Sequence, residues 1–239
     1  MKINRIPRQA GFTLVELLIA ITVGMALLAA VSMTLRSGLQ ASTGIQLKAS
    51  AQEDARLALQ IMTAEIGMAS YNPKFRSDAA FWVTPACAAS PNQNYRGIQE
   101  ATATALTVEM ATGPGAGGSD WIGDDPNEVI RYVYDAANQR ITRTANCAGG
   151  AQPFLGDTAL SGRPREVLVV NNNLVIPAVF RYFNGQGVEL ASPVTAQIPN
   201  IRRIEITLAV QTSEIDPTTK TRQSMIYSTS VLPRNHMVE

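Results

Sequence analysis

The segment from Phe12 to Leu35 sets the first limit on this chain, because 24 consecutive residues carry a single charge, at Glu16. About 20 mainly apolar residues suffice for a helix to cross a bilayer. The residues ahead of the run include Lys2, Arg5 and Arg8 and no acid. Positive flanks stay on the cytoplasmic side, so the N-terminus is expected inside and the rest of the chain outside. A cleaved secretory signal has an apolar stretch of about 7–15 residues with a small-residue cut site beyond it. This run is longer, and no clear A-x-A site follows it directly. A plain signal-anchor accounts for the leader and the run but leaves Glu16 unexplained. A carboxylate at the centre of a spanning helix costs about 2.5–3.5 kcal/mol on insertion scales. Near the cytoplasmic end the cost is smaller. Either Glu16 simply reaches back to the interface, or it meets a cation in an assembled state.

A basic leader ending in Gly11, followed by Phe12-Thr13-Leu14-Val15-Glu16-Leu17-Leu18-Ile19-Ala20, closely resembles the class III signal of type IV prepilins and pseudopilins. The motif sets a Gly, a Phe and a Glu at fixed offsets ahead of a full spanning run. The resemblance implies that a membrane-embedded prepilin peptidase cuts between Gly11 and Phe12 and methylates the new amine of Phe12. It also implies that Glu16, fifth in the cut chain, pairs with the N-terminal amine of a neighbouring subunit during assembly. A filament core is apolar and dry, so opposite charges there must meet, and stranding one of them is expensive. Gly11 suits a cut site because a residue without a Cβ lets a protease approach the backbone.

The chain has 239 residues, enough for one long helix and one globular domain. The formal charge is +1, and losing the three basic leader residues takes the side chains to −2. That is no electrostatic signature for nucleic acid. Cys87 and Cys147 both fall in the exported part. An oxidising periplasm favours a disulfide between them, closing a loop of about 60 residues and typically worth about 2–4 kcal/mol. Two buried free thiols are the alternative. Two cysteines with no nearby histidine make no zinc site, and no cofactor is expected.

Beyond the run, Leu47, Ala51, Ala55, Ala58, Met62, Ile66 and Ala69 recur at steps of three and four, the stripe of an amphipathic helix. Gln52, Arg56, Gln60 and Thr63 form a polar stripe. Ser42-Thr43-Gly44 is the expected weak point and Asn72-Pro73 the expected end. The helix is therefore expected over 12–71, about 90 Å long at 1.5 Å per residue. A loop is expected over 73–100. Period-two patterns follow at 105–110, 128–134, 139–144, 167–170, 188–190, 201–210 and 224–232. A further segment, 175–182, leads into the turn Asn184–Gly187. The expected class is α+β: one long N-terminal helix packed on an antiparallel meander, as in pilins. The expected division is a leader at 1–11, a membrane or filament-core helix at 12–35, its amphipathic half at 36–71, and a β-rich periplasmic domain at 72–239.

The stretch Ala55-Arg56-Leu57-Ala58-Leu59 through Glu65-Ile66-Gly67-Met68-Ala69-Ser70-Tyr71 resembles the PilW family of minor pilins, which carry an R-x-A-L motif and an E-I-R-x-A-G-Y-like close. Here Gly67 stands in the basic position and Ser70 in the glycine position. Phe180-Arg181-Tyr182-Phe183-Asn184-Gly185 and Ile201-Arg202-Arg203-Ile204-Glu205-Ile206 are similar to PilW-like pilins and to the J-type pseudopilin of type II secretion. The resemblance implies an inner-membrane protein with one span, then a place at a pilus tip. Its implied partners are the prepilin peptidase and other minor and major pilins or pseudopilins.

Enzyme signatures are missing: there is no G-x-S-x-G, H-E-x-x-H or P-loop pattern. The one histidine, His236, is expected in a frayed tail, a poor place for a general base. Asp120, Asp124, Asp125 and Glu128 lack regular calcium-loop spacing and are expected to form a solvated acidic loop. Three functions stay open on sequence: a minor pilin, a J-type pseudopilin at the tip of a secretion piston, and a membrane-anchored periplasmic binding or enzyme domain.

Overall fold

The computed structural model describes residues 11–75, 81–82, 96–113, 122–123, 125–146, 148–156, 167–191 and 194–236. The leader residues Lys2, Arg5 and Arg8, and both Cys87 and Cys147, lie outside the described residues. Helix α1 runs Leu14–Gly67 as one unbroken 54-residue element, about 81 Å at 1.5 Å per residue. It ends four residues short of the expected boundary at 71. The Met68 and Ala69 amides bond back to the Glu65 and Ile66 carbonyls, and Ser70 takes a left-handed φ of 65°. The Ser70 N–H then donates to the Glu109 carbonyl at 2.8 Å. A strand contact thus takes the chain out of the helix before Asn72-Pro73 is reached.

Burial along α1 starts at Gly44, and no residue from 11 to 43 is buried. Gly44, Ala51, Ala55, Ala58, Leu59, Met62 and Ile66 are buried, at the three-to-four spacing of one helical face. Leu47 of the expected stripe is only half-buried. The helix passes through Ser42-Thr43-Gly44 without the expected weak point. A Cβ on Gly44 would sit 2.8 Å from Asp216 Oδ1. Glycine there serves a close approach to the loop 213–223, not a bend.

Among the described residues the expected single meander is two five-stranded antiparallel sheets. The strands are β1 (Ile98–Ala101), β2 (Ala105–Glu109), β3 (Val129–Asp135), β4 (Arg140–Ala145), β5 (Ala148–Leu155), β6 (Val167–Val169), β7 (Phe180–Phe183), β8 (Glu189–Leu190), β9 (Arg203–Thr212) and β10 (Ser224–Val231). Sheet A is the meander β1-β2-β3-β4-β5. Sheet B has the order β10-β9-β7-β8, with β6 also on β9. α1 lies on β9 and β10 and touches β5. One core joins all three layers, with Met62 and Ile66 from α1, Leu106 and Tyr132 from sheet A, and Phe180 and Ile206 from sheet B.

Two strands fall where the sequence reads as irregular. β1 begins inside the loop expected over 73–100, at Ile98, and runs one residue past it. β5 (AGGAQPFL) carries Gly149, Gly150 and Pro153, which read as turn residues, and its pairing with β4 shifts register twice. In the segment 175–182 only the part from Phe180 onward is strand, and Val175 is fully exposed.

The helix end is fixed to sheet A by charge. Arg143 donates from Nη2 to Glu65 Oε1 at 2.8 Å and from Nε to Glu65 Oε2 at 3.2 Å. The Tyr132 hydroxyl donates to the same carboxylate. A bidentate, partly buried pair of this kind also fixes geometry. Beside it, Gly97 has φ +81°, and a Cβ there would lie 1.8 Å from Ser70 Oγ. Gly97→Ala is expected to destabilise the protein by about 2–4 kcal/mol through strain and collision. Gly185→Ala, whose Cβ would meet only Arg202 Cγ at 3.8 Å, should change stability by under about 0.5 kcal/mol. Urea unfolding of both variants in detergent checks the contrast.

Candidate functional site

The start of α1 is built by two side chains that the sequence places three residues apart, Thr13 and Glu16. Gly11, Phe12 and Thr13 are exposed and outside the helix, and Phe12 is 90% exposed. Thr13 is the N-cap, with extended backbone at φ −76°, ψ 152°. Its hydroxyl accepts from the Glu16 N–H at 3.3 Å. Glu16 Oε2 in turn accepts from the Thr13 N–H and the Thr13 hydroxyl, each at 2.9 Å. This is a capping box, in which two orphan amides at the helix start are satisfied reciprocally. The carboxylate also faces the positive end of the helix dipole.

Glu16 therefore has a local task independent of any partner: it closes the first turn of the helix. Both of its bonds converge on Oε2, and Oε1 takes part in neither. The bonded amide of Thr13 adjoins Phe12, so the carboxylate sits at the end of the chain that a cut after Gly11 would create. The signal for this arrangement was present in the sequence as Thr-x-x-Glu before an apolar run. Thr13, the N-cap, belongs to this arrangement although the prepilin pattern does not fix it.

Past the cap, the apolar face has no protein to lie on. Leu17, Leu18, Ile21, Leu28 and Leu35 are all exposed, between 47% and 69%. The helix is long and apolar enough to cross a membrane by length and composition. Among the described residues, its first half contacts no sheet and its second half closes the core.

The other polar candidates are structural. Glu128, expected in a solvated acidic loop, is buried. Its Oε1 accepts from the Thr112 N–H at 2.9 Å and its Oε2 from the Gly123 N–H at 2.9 Å. Those lone pairs are used by the backbone, so Glu128 staples a loop. Asp120 and Asp124 lie outside the described residues. His236, expected in a frayed tail, is also buried, at 5% exposure. Its Nε2 faces the Ile198 carbonyl at 2.8 Å, and its Nδ1 faces the Ser70 hydroxyl at 3.0 Å and the Arg96 carbonyl at 3.1 Å. Burial pushes its pKa below the usual histidine value. The ring thus bridges the Ile198 carbonyl to the Ser70 hydroxyl and the Arg96 carbonyl, tying His236 into the fold. A groove of about 370 Å³ opens beside Ala103, Tyr134, Ile176, Phe180, Arg181 and Leu190. Its polar groups are paired with one another or nearby residues: Arg181 with Glu189, and the Tyr134 hydroxyl with Asn172 at 2.9 Å.

One buried carboxyl is not fully satisfied. Glu109 on β2 accepts from Gln99 Nε2 at 2.8 Å, while its Oε1 has no hydrogen-bond partner among the described residues. Burial pushes its pKa up to about 8, against the opposing pull of bonds from Gln99 and Gly97. The sign follows from linkage: a carboxyl raised on folding contributes stability that is fully present below its unfolded value. That stability is lost as pH rises toward the folded value. Between pH 4.5 and 8 the native chain should therefore weaken by a few kcal/mol, on the order of 3. Glu109→Gln should remove that slope, seen as urea midpoints that converge at pH 5 and separate at pH 9.

Residues 6–32 match the family model for the prokaryotic N-terminal methylation motif. The match spans Gly11, Phe12 and Glu16 and stops before the sheets. No curated protein and no solved structure matches the chain. The motif is a type IV pilin-like prepilin signal, and it points to a structural protein rather than an enzyme. With one long N-terminal helix and antiparallel sheets, the chain is pilin- or pseudopilin-like in signal and in architecture.

Proposed function

We propose that this chain is a minor-pilin-like subunit that helps to initiate or cap a type IV pilus. Prepilin peptidase cuts it between Gly11 and Phe12 and methylates Phe12. Residues 12–35 hold it in the inner membrane, N-terminus in the cytoplasm, until the helix moves into a filament core. The observation that carries this reading is the junction itself. An exposed, non-helical Gly11–Phe12 bond directly precedes an N-capped helix whose first 30 residues are unburied. A protease needs an accessible, non-helical bond, and a helix with that much bare apolar face needs lipid or other helices.

In this reading Glu16 changes partners. Inside the free subunit its carboxylate closes the capping box. In the filament it meets the new amine of a neighbouring Phe12, a stronger, charge-assisted partner. The domain of 72–239 supplies the contacts with other pilins, and Cys87 and Cys147 form a disulfide that braces it. PilW-like features at Arg56-Leu57-Ala58-Leu59 and Glu65-Ile66 favour a pilus over a secretion pseudopilus.

Two variants and a deletion test this. Gly11→Leu should leave a precursor that retains residues 1–11 by mass spectrometry, stays in the inner membrane and makes no filaments. Glu16→Ala should be cut normally but lower the filament count at least about tenfold. Deleting the gene should remove surface filaments in electron micrographs, and complementation should restore them. Assembly of uncut Gly11→Leu chains would end the filament reading. An unchanged filament count with an altered secreted-protein profile would transfer it to the J-type pseudopilin.

A further inference from the structure

Among the described residues five strands lie at an edge of the two sheets, and four of them are poor templates for a further strand. β6 is three residues long, and its Val169 N–H already donates to the Gln139 carbonyl at 2.8 Å. β1 is four residues long, has a register shift and carries Glu100. β5 has two shifts and Pro153. β8 is two residues long. Short, bulged, charged or proline-bearing edges are how proteins prevent edge pairing. β10 has none of these features. It pairs with β9 over all eight residues from Ser224–Gln211 to Val231–Ile204, without a shift. Its sequence, SMIYSTSV, is uncharged.

The ladder shows which backbone groups face outward. The Thr212 N–H donates to the Gln223 carbonyl at 3.0 Å, so Gln223 and Thr212 form a hydrogen-bonded pair of the antiparallel ladder. Bonding alternates along such a ladder, so the odd-numbered residues of β10 face β9. On the other side of β9, the Thr207 N–H donates to Val179 and the Ala209 carbonyl accepts from Val170. Those are odd-numbered residues of β9, which confirms the alternation. Ser224, Ile226, Ser228 and Ser230 therefore turn their N–H and C=O groups away from the sheet. Their side chains are exposed on the face away from α1, and Ile226 is 62% exposed at the centre. No described residue pairs with this edge.

The flanks narrow the occupant. Arg222 precedes β10 and Arg234 follows it, both exposed. A second copy pairing in parallel would set each arginine against itself. Pairing antiparallel, it would set Arg222 near Arg234. Both arrangements oppose like charges, which is unfavourable across strands. An edge that repels its own kind but has a neutral centre fits a different strand.

We propose that the free edge of β10 takes an extended segment of another polypeptide chain, uncharged in its middle and acidic at both ends. That segment adds one strand to sheet B, bonds to the four outward residues and places an apolar side chain beside Ile226. The recognition is strand addition, with affinity from main-chain bonds and specificity from alternate side chains and end charges. It rests on the ladder and not on the proposed pilus role, and it can fail without touching that role.

The test uses the full chain in nonionic detergent and two synthetic peptides. Both peptides carry the same uncharged core of alternating Thr and Val, as long as β10. One has Asp and Glu at its ends, the other Lys. The acidic-ended peptide should bind and slow amide hydrogen exchange at Ser224, Ile226, Ser228 and Ser230 at least about tenfold. The Lys-ended peptide should bind at least about tenfold more weakly. Ser230→Pro removes one outward N–H that β9 does not use, a position where an edge strand accepts proline. Ile226→Lys puts a charge at the centre of the edge. Both variants should keep the unfolding temperature and lose the peptide. Three results would overturn the proposal: binding of neither peptide, equal binding of both, or prior protection of the four amides in the free protein. Self-association of the chain that the acidic peptide does not compete with would overturn it as well.

Discussion

A narrow stripe of small side chains holds this molecule together. Ala51, Ala55 and Ala58 let α1 lie close against sheet B, and Gly44 lets it approach Asp216 in the loop 213–223. Small residues on a helix face bring backbones near, so a long rod can be gripped without large side chains. Farther along, Met62 and Ile66 fill the space where the two sheets meet the helix. The Glu65–Arg143 pair then fixes the helix end to sheet A. The direction in which the free half of α1 leaves the domain depends on this grip.

The free half has the opposite requirement. Its residues from 14 to 43 find no protein surface among the described residues, and its apolar side chains stay bare. One continuous helix therefore serves two environments, with the change at Gly44. Upstream, the chain needs lipid or the helices of other subunits. Downstream, it completes the core that joins the two sheets. The capping box at Thr13 and Glu16 closes the rod at its N-terminal end, and the described residues before the helix, 11–13, are exposed and non-helical.

Much of this was legible. The apolar run, its lone acid and the basic leader needed only composition and spacing. The stripe on α1 was readable because helical period is local. The hairpins of β3 with β4 and β9 with β10 were readable because alternation and turn residues are local too. β5 was not readable, since glycines and proline in a strand look like a loop until a partner strand pairs with them. Glu128 and His236 were misjudged for a related reason. Burial of a polar group depends on which distant amides and carbonyls converge on it, and those partners come from other elements. Thr13 is not marked by the prepilin pattern, which fixes Gly11, Phe12 and Glu16, although its capping signal stands in the sequence.

The sequence by itself determined that a helix would begin near Phe12, that its first half would be too apolar for water, and that a sheet-rich domain would follow. These rest on near-neighbour chemistry: hydropathy, helical period and charge order. Only the tertiary structure decided that, among the described residues, there would be two sheets, that Gly44 would meet Asp216 rather than bend the helix, and that no described strand would pair with the outer edge of β10. Those outcomes depend on which strands become neighbours. Hydrogen-bond pairing between segments far apart in the chain is settled by the whole packed core and not by either segment alone.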